Sequence, residues 1–101
     1  MKTIGAGVQL FDLGMVVATS NLMSTIKNPE IEIKTALVRH SRGDWGITKD
    51  KTANDISVEN SINGQEATRI HSIYKTQDGN TIWVITEWDR SATTVMLPED
   101  Y

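Results

Sequence analysis

His40, Asp44, Glu87, Asp89 and Arg90 are the side chains of this sequence whose types combine into a reaction centre. A histidine exchanges protons near neutral pH, a carboxylate orients it or acts as a base, and an arginine stabilises charge developing on a phosphate. Such a set suits a small nuclease or nucleotide hydrolase, with His40 and Glu87 as its centre. A plainer reading has His40 and Asp44 closing a helix end and orienting Trp45, while Glu87 pairs with Arg90 across a tight corner. His40 falls on an apolar helical face, where a histidine usually serves packing, so the plainer reading is preferred.

Other groupings carry less. His40, His71, Asp44 and Glu87 are ligand types for zinc or iron, but no two of them have the spacing of a metal motif, so no metal is expected. Arg39, Arg42 and Arg90 beside a tryptophan would suit a nucleotide-ligand binder. Ser91, Thr93 and Thr94 have the hydroxyls to cradle a phosphate, yet hydroxyls on a strand are normally just strand residues. No phosphate loop or other cofactor motif occurs, and no cofactor is expected. The stretch TEWDRS at 86–91 holds three formal charges and two hydroxyls around Trp88. Glu87, Trp88, Asp89 and Arg90 therefore form the candidate partner-binding surface, one aromatic anchor within a charged rim. Trp83 reads as core, and Trp45 suits either core or an interface anchor.

These side chains need elements to hold them. TIWVI at 81–85 is a strand by its β-branched and aromatic content, and a second apolar run follows at 92–97 until Pro98 stops it. Asp78-Gly79 signals a hairpin back to a strand over 67–76. With those two residues central, Tyr74 faces Trp83, Ser72 faces Ile85 and Ile70 faces Glu87, while His71 opposes Thr86 on the other face. A three-residue turn would shift these pairs.

Upstream, residues 1–7 have little pattern and read as a loosely held terminus. Two short apolar runs at 8–18 are divided by Gly14 and read as strand or buried turn. Thr19-Ser20-Asn21 offers helix caps ahead of Leu22, Met23 and Ile26. Pro29 suits the first turn of a second helix, with Glu30 and Glu32 near its positive end. Ile33, Ala36, Leu37 and His40 line one face of that helix, and Gly43 stops it. Thr48 reads as the cap of a third, weaker helix, with Ala53, Ile56 and Asn60 on one face. The expected architecture is α+β: about three short N-terminal helices packed on a three-stranded antiparallel C-terminal β-meander, in a single domain over 1–101.

Composition narrows the function. A net charge of −3 over 101 residues argues against binding nucleic acid through phosphate contacts, and it falls short of the carboxylate lattice of a DNA mimic. Without cysteine there is no disulfide, no thiol catalysis and no thiolate zinc site, and a reducing cytoplasm is the natural compartment. No stretch approaches the ~20 apolar residues of a membrane span, and Gly5, Gly7, Gln9 and Asp12 interrupt any signal-peptide core.

LGMVVAT at 13–19, LVRHSRGDWG at 37–46 and SIYKTQDGNTIWVITEWDRSATTVMLPEDY at 72–101 resemble a widespread family of small bacterial proteins, usually labelled hypothetical or plasmid-related. Its pattern runs LG-x-VVAT, then RH-x-x-GDWG, then an ITE-x-DRS-x-TT-x-LLP-x-x-Y tail. The resemblance spans nearly the whole chain, though residues 49–60 are more polar than the helix that follows GDWG in the family. It brings no established catalytic residue. It implies an accessory protein of plasmids, prophages and other mobile elements, a setting rich in counter-defence factors. The preferred expectation is an inhibitor of the anti-CRISPR or antirestriction type, binding a host defence protein such as a Cas effector or restriction enzyme.

Overall fold

The computed structural model describes residues 8–101 and, before them, the backbone pairing of two short strands, β1 (Thr3–Ile4) and β2 (Gly7–Val8). The expected loose terminus over 1–7 falls largely outside the described residues. Next come β3 (Met15–Ala18), α1 (Ser20–Thr25), α2 (Pro29–Ser41), α3 (Lys51–Ile62), β4 (Ile70–Lys75), β5 (Thr81–Thr86), β6 (Ala92–Met96) and a 3₁₀ turn over Pro98–Asp100.

Each helix starts where local chemistry allows it. Thr19 caps α1, its Oγ accepting from the Leu22 N–H at 3.2 Å. The Thr19 hydroxyl donates to Asp100 at 2.6 Å, and the Asn21 amide donates to the same carboxylate at 3.0 Å, tying the chain's last turn to this helix start. Pro29 opens α2, whose face Ile33, Ala36, Leu37 and His40 turns inward as its spacing requires. The third helix departs from expectation. Asp50 stands at its cap, while the Thr48 hydroxyl accepts from the Asp50 N–H just outside. Its buried face is Asn54, Ser57 and Val58, and Ile56 is exposed. An apolar pattern cannot reveal a face whose inward residues are mostly polar.

The three C-terminal strands form the expected meander, but the sheet has a fourth strand and is mixed. Its order is β3-β6-β5-β4, with β3 parallel to β6 and the other pairs antiparallel. A strand therefore precedes all three helices. The hairpin register is also one residue off the two-residue turn: Ile73 pairs with Trp83, Tyr74 with Ile82, Ser72 with Val84 and Ile70 with Thr86. The Thr76 N–H donates to the Asn80 carbonyl at 2.9 Å, leaving Gln77, Asp78 and Gly79 as a three-residue loop. Side chains in and around the loop hold that choice. The Thr76 hydroxyl bonds Asp78, and Asp78 and Glu32 accept the Lys27 and Gln77 N–H groups at 3.0 and 2.7 Å.

The slip exchanges faces. Ile70, Ser72, Tyr74, Ile82, Val84 and Thr86 share the helix-covered face, all at most 3% exposed. Trp83 lies on the opposite face instead of beside Tyr74, half-buried between His71 at 4.6 Å and Tyr101 at 5.5 Å between ring centres. Under the helices are two apolar clusters. One joins Leu22, Ile26, Ala36, Tyr74, Ile82, Val84, Val95 and Leu97. The other gathers Phe11, Trp45, Val58 and Ile70.

The outer edge of β4 is closed. Ile73 exchanges backbone hydrogen bonds with Trp45 and Ile47, and the Asn54 side chain accepts the His71 N–H at 3.1 Å while donating to its carbonyl at 2.8 Å. Gly46, at φ +70, makes this approach possible, because a Cβ there would overlap the Ile73 carbonyl and the Tyr74 ring. Gly79 also has a positive φ, +86, but a Cβ there meets open space. Gly79→Ala is thus expected to cost about 1 kcal/mol, from backbone conformation alone. Gly46→Ala should cost about 3 kcal/mol or more, since strain and overlap add. Urea denaturation of both variants checks this, and equal losses would mean that Gly46 does not close the edge.

Candidate functional site

His40 sits between the two clusters and is 0% exposed. Its ring meets Phe11 edge-on at 5.3 Å and Trp45 at 5.8 Å. Nδ1 lies 2.6 Å from the Ser72 hydroxyl and Nε2 lies 2.9 Å from that of Thr86. Thr86 lies 2.7 Å from Thr93, whose hydroxyl donates to the Leu13 carbonyl at 2.7 Å.

Counting protons along this chain fixes every direction. Thr93 gives its only proton to Leu13, so it accepts from Thr86. Thr86 has then given its own, so it accepts from His40 Nε2–H. In the neutral ring Nδ1 is consequently the acceptor, and Ser72 donates to it. Both nitrogens are occupied and the ring is sealed from solvent, which leaves no atom of His40 open to a substrate. Burial, with the charges of His71 and Arg90 adding to it, pushes the imidazole pKa down to about 3.

The other candidates do not converge on it. Asp44 lies exposed beyond the end of α2, bound by Arg39 through contacts of 2.7 and 3.2 Å and by the Gly46 N–H at 3.2 Å. The Arg39 guanidinium holds the Asp44 carboxyl below the usual range. With both side chains about half exposed (41% and 53%), this ion pair contributes little, about 0–1 kcal/mol. Trp45 is oriented by Asp55, which accepts its indole N–H at 2.8 Å, rather than by His40 or Asp44 hydrogen bonds.

His71 is on the opposite face of the sheet from His40, with Nδ1 3.5 Å from Asp50. No three His, Asp or Glu side chains gather as metal ligands among the described residues. Thr93 is buried in the His40 chain, Thr94 is half-buried and Ser91 is exposed, so the three hydroxyls share no cradle.

Residues 87–91 form a tight corner between β5 and β6. Glu87 accepts from Arg90 N–H through its backbone at 2.9 Å, Asp89 accepts from Ser91 N–H at 3.1 Å, and Arg90 adopts φ +60. Arg90 makes no ion pair with Glu87. Its guanidinium bonds the carbonyls of Thr68 at 2.8 Å and of Glu87 and Trp88 at 3.3 Å, and the hydroxyls of Ser57 and Ser61 at 2.9 and 2.7 Å. Its charge also lies 5.6 Å from the Phe11 ring centre. Burial lowers its pKa somewhat, and no carboxylate pairs with it among the described residues. The arginine is a clamp, binding the corner to α3 and to the approach of β4. This set of partners offsets the roughly 1–2 kcal/mol of a left-handed non-glycine residue.

Arg90 also borders a cavity of about 470 Å³ with Gln9, Leu10, Phe11, Asp12, Ser61 and Ile62, to which His40, Asp44 and Glu87 do not contribute. Beyond the clamp, Glu87, Trp88 and Asp89 are exposed, Trp88 at 64%.

The residues missed from the sequence are the partners: Ser72, Thr86 and Thr93 around His40, and Ser57 and Ser61 around Arg90. One signal was available, a hydroxyl residue set into each of the largely apolar strands β4, β5 and β6, opposite a helix bearing a histidine. Comparison of the chain with family models, curated proteins and solved structures finds no match.

Two outcomes follow. His40 is expected to lose stability toward acid: an unfolded histidine protonates near pH 6.5, whereas the folded ring resists until about pH 3. Between those values the unfolded chain holds the extra proton, so stability falls as pH falls, by about 1.4 kcal/mol per unit. By urea denaturation, about 2 kcal/mol should be lost through His40 between pH ~7.5 and ~5, with the His71 contribution added to it. His40→Gln should keep only the part due to His71, whose pKa is also lowered, by burial first and Arg69 second. In wild type the His40 ring proton resonances should stay flat over the same range; titration near pH 6.5 would refute the sealed ring. Arg90→Lys, which cannot reproduce the fork of bonds, should cost about 2 kcal/mol by thermal or urea unfolding.

Proposed function

We propose that this chain is a protein-binding module that docks through the β5–β6 corner, with Trp88 as anchor and Glu87 and Asp89 as its acidic rim. The supporting observation is a large, 64% exposed indole at the tip of a corner whose backbone is fixed by the half-buried Arg90 clamp. A pre-ordered anchor loses little conformational freedom on docking, so more of its burial appears as affinity. The reactive set points away from catalysis for the reasons already given: His40 is sealed, and Asp44 and Glu87 stand apart from it. Arg90 offers little to a nucleotide, since its terminal N–H groups already bond protein oxygens.

The partner class that best fits is a nuclease effector of a host defence system, a Cas effector or restriction enzyme. Two things support this. The exposed carboxylates and the net charge of −3 suit a basic nucleic-acid channel, and the sequence resembles a family of mobile elements, where counter-defence proteins gather.

Purified protein added to a panel of Cas effectors and restriction enzymes tests the proposal, by complex formation and by DNA cleavage. An effector that fits should be inhibited, with an association rate that drops as salt rises. Trp88→Ala should weaken binding by about 2 kcal/mol with an unchanged melting temperature. Absence of binding across the panel, together with saturable binding of a nucleotide, would replace this reading with a ligand-binding one.

A further inference from the structure

The two edges of the sheet are treated differently. The β4 edge is closed by Trp45, Ile47 and the Asn54 amide, but β3 presents an open one. Met15 N–H donates to the Ser91 carbonyl at 2.9 Å and Thr19 N–H to the Val95 carbonyl at 3.0 Å. Alternation along the strand places Val17 with them and turns the N–H and C=O groups of Val16 and Ala18 away from β6. No backbone partner meets those outward groups among the described residues. The strand carries no charge, proline or bulge, the devices that ordinarily protect an edge, and shortness is its one safeguard. Its side chains are apolar and exposed: Met15 at 69%, Val16 and Val17 at 42% each.

Beside the edge lies an apolar groove of about 470 Å³, lined by Leu13, Ile33, Leu37 and Val38 and rimmed by Glu30 and Lys34. That rim is self-complementary. One acidic and one basic residue, a single helical turn apart on α2, pair crosswise when a two-fold axis brings a second α2 antiparallel to the first. A strand of four residues buries too little alone for a stable interface, so the adjoining groove supplies the rest of the apolar area.

We infer that the chain forms a two-fold dimer by antiparallel pairing of β3 with β3 of a second copy. The outward amides determine the register. Val17 meets Val17 of the second copy at the axis, as a non-hydrogen-bonded pair, and Val16 pairs with Ala18 on either side, making four N–H···O=C bonds. The product is a continuous eight-stranded sheet, with the grooves under α2 facing each other. Met15 lies against Ser91, so each corner bearing Trp88 sits at one end of β3. Antiparallel pairing places the two corners at opposite ends of the joint sheet, a bivalent arrangement.

Sedimentation equilibrium of the full chain tests the dimer, which should show twice the 11.2 kDa of one chain. Val17→Lys sets two like charges on the axis and should give a folded monomer whose melting temperature, unlike that of the wild type, no longer rises with protein concentration. Val17→Cys gives an independent reading, since the chain has no other cysteine. Facing residues of a non-hydrogen-bonded pair are within disulfide reach, so this variant should cross-link under mild oxidation at least ten-fold faster than Met23→Cys, an exposed position on α1. A wild type that stays monomeric from micromolar to millimolar concentration, with Val17→Cys no faster than Met23→Cys, overturns the inference. That outcome would leave the edge to an extended segment of another protein.

Discussion

A neutral imidazole with no water around it must have both nitrogens satisfied by the protein, and that requirement reaches three strands of the main sheet and the approach to the fourth. His40 takes a hydrogen bond from Ser72 on β4 and gives one to Thr86 on β5. Thr86 passes it to Thr93 on β6, and Thr93 to the Leu13 carbonyl just ahead of β3. One directed chain of hydrogen bonds thus crosses β4, β5 and β6 and anchors the approach to β3, with α2 as its origin. Such a chain is unforgiving: losing one member leaves buried partners unsatisfied at about 1–3 kcal/mol each. A one-residue slip of any strand would turn its hydroxyl to the far face. The chain therefore selects the register as well as stabilising it.

The β5–β6 corner follows a second rule, that a charge partly withdrawn from solvent takes whatever polar partners the fold offers. Arg90 finds carbonyl and hydroxyl oxygens instead of a carboxylate, and its bonds join α3, the approach to β4 and the corner itself. The carboxylates of its neighbours Glu87 and Asp89 are left free of it, on exposed residues. A corner with an internal cation and an external acidic rim presents a fixed surface, which is what recognition by few residues requires.

Protection of the sheet is unequal. Asn54 and the backbone around Gly46 complete the hydrogen bonding of β4 much as a further strand would. At the other end β3 holds to β6 by one side only, with apolar side chains in solvent. Natural sheets rarely leave an apolar edge of this kind bare.

Local chemistry alone determined much of this protein. Thr19 and Pro29 set helix starts, the spacing of Ile33, Ala36, Leu37 and His40 set the buried face of α2, and β-branched runs set β5 and β6. The exposure of Trp88 and the burial of His40 were legible as well, because a polar corner and an apolar helical face are short-range patterns. Tertiary structure decided the remainder. Pairing of β3 with β6 joins segments more than seventy residues apart, and nothing within MVVA says what it will lie beside. The hairpin register turned on whether Thr76 closed a two- or three-residue loop, a choice that its own side chain, those of Asp78 and Glu32 and the backbone of the α1–α2 turn made together. The inward face of α3 is polar because Asn54 serves backbone groups of β4 and Ser57 those of Thr68 in the approach to it, neither in place when the helix is read by itself. Arg90 took carbonyls over Glu87 for the same reason: hydrogen-bond partners are assigned by proximity in the folded chain, and sequence spacing foretells only those within a turn or two.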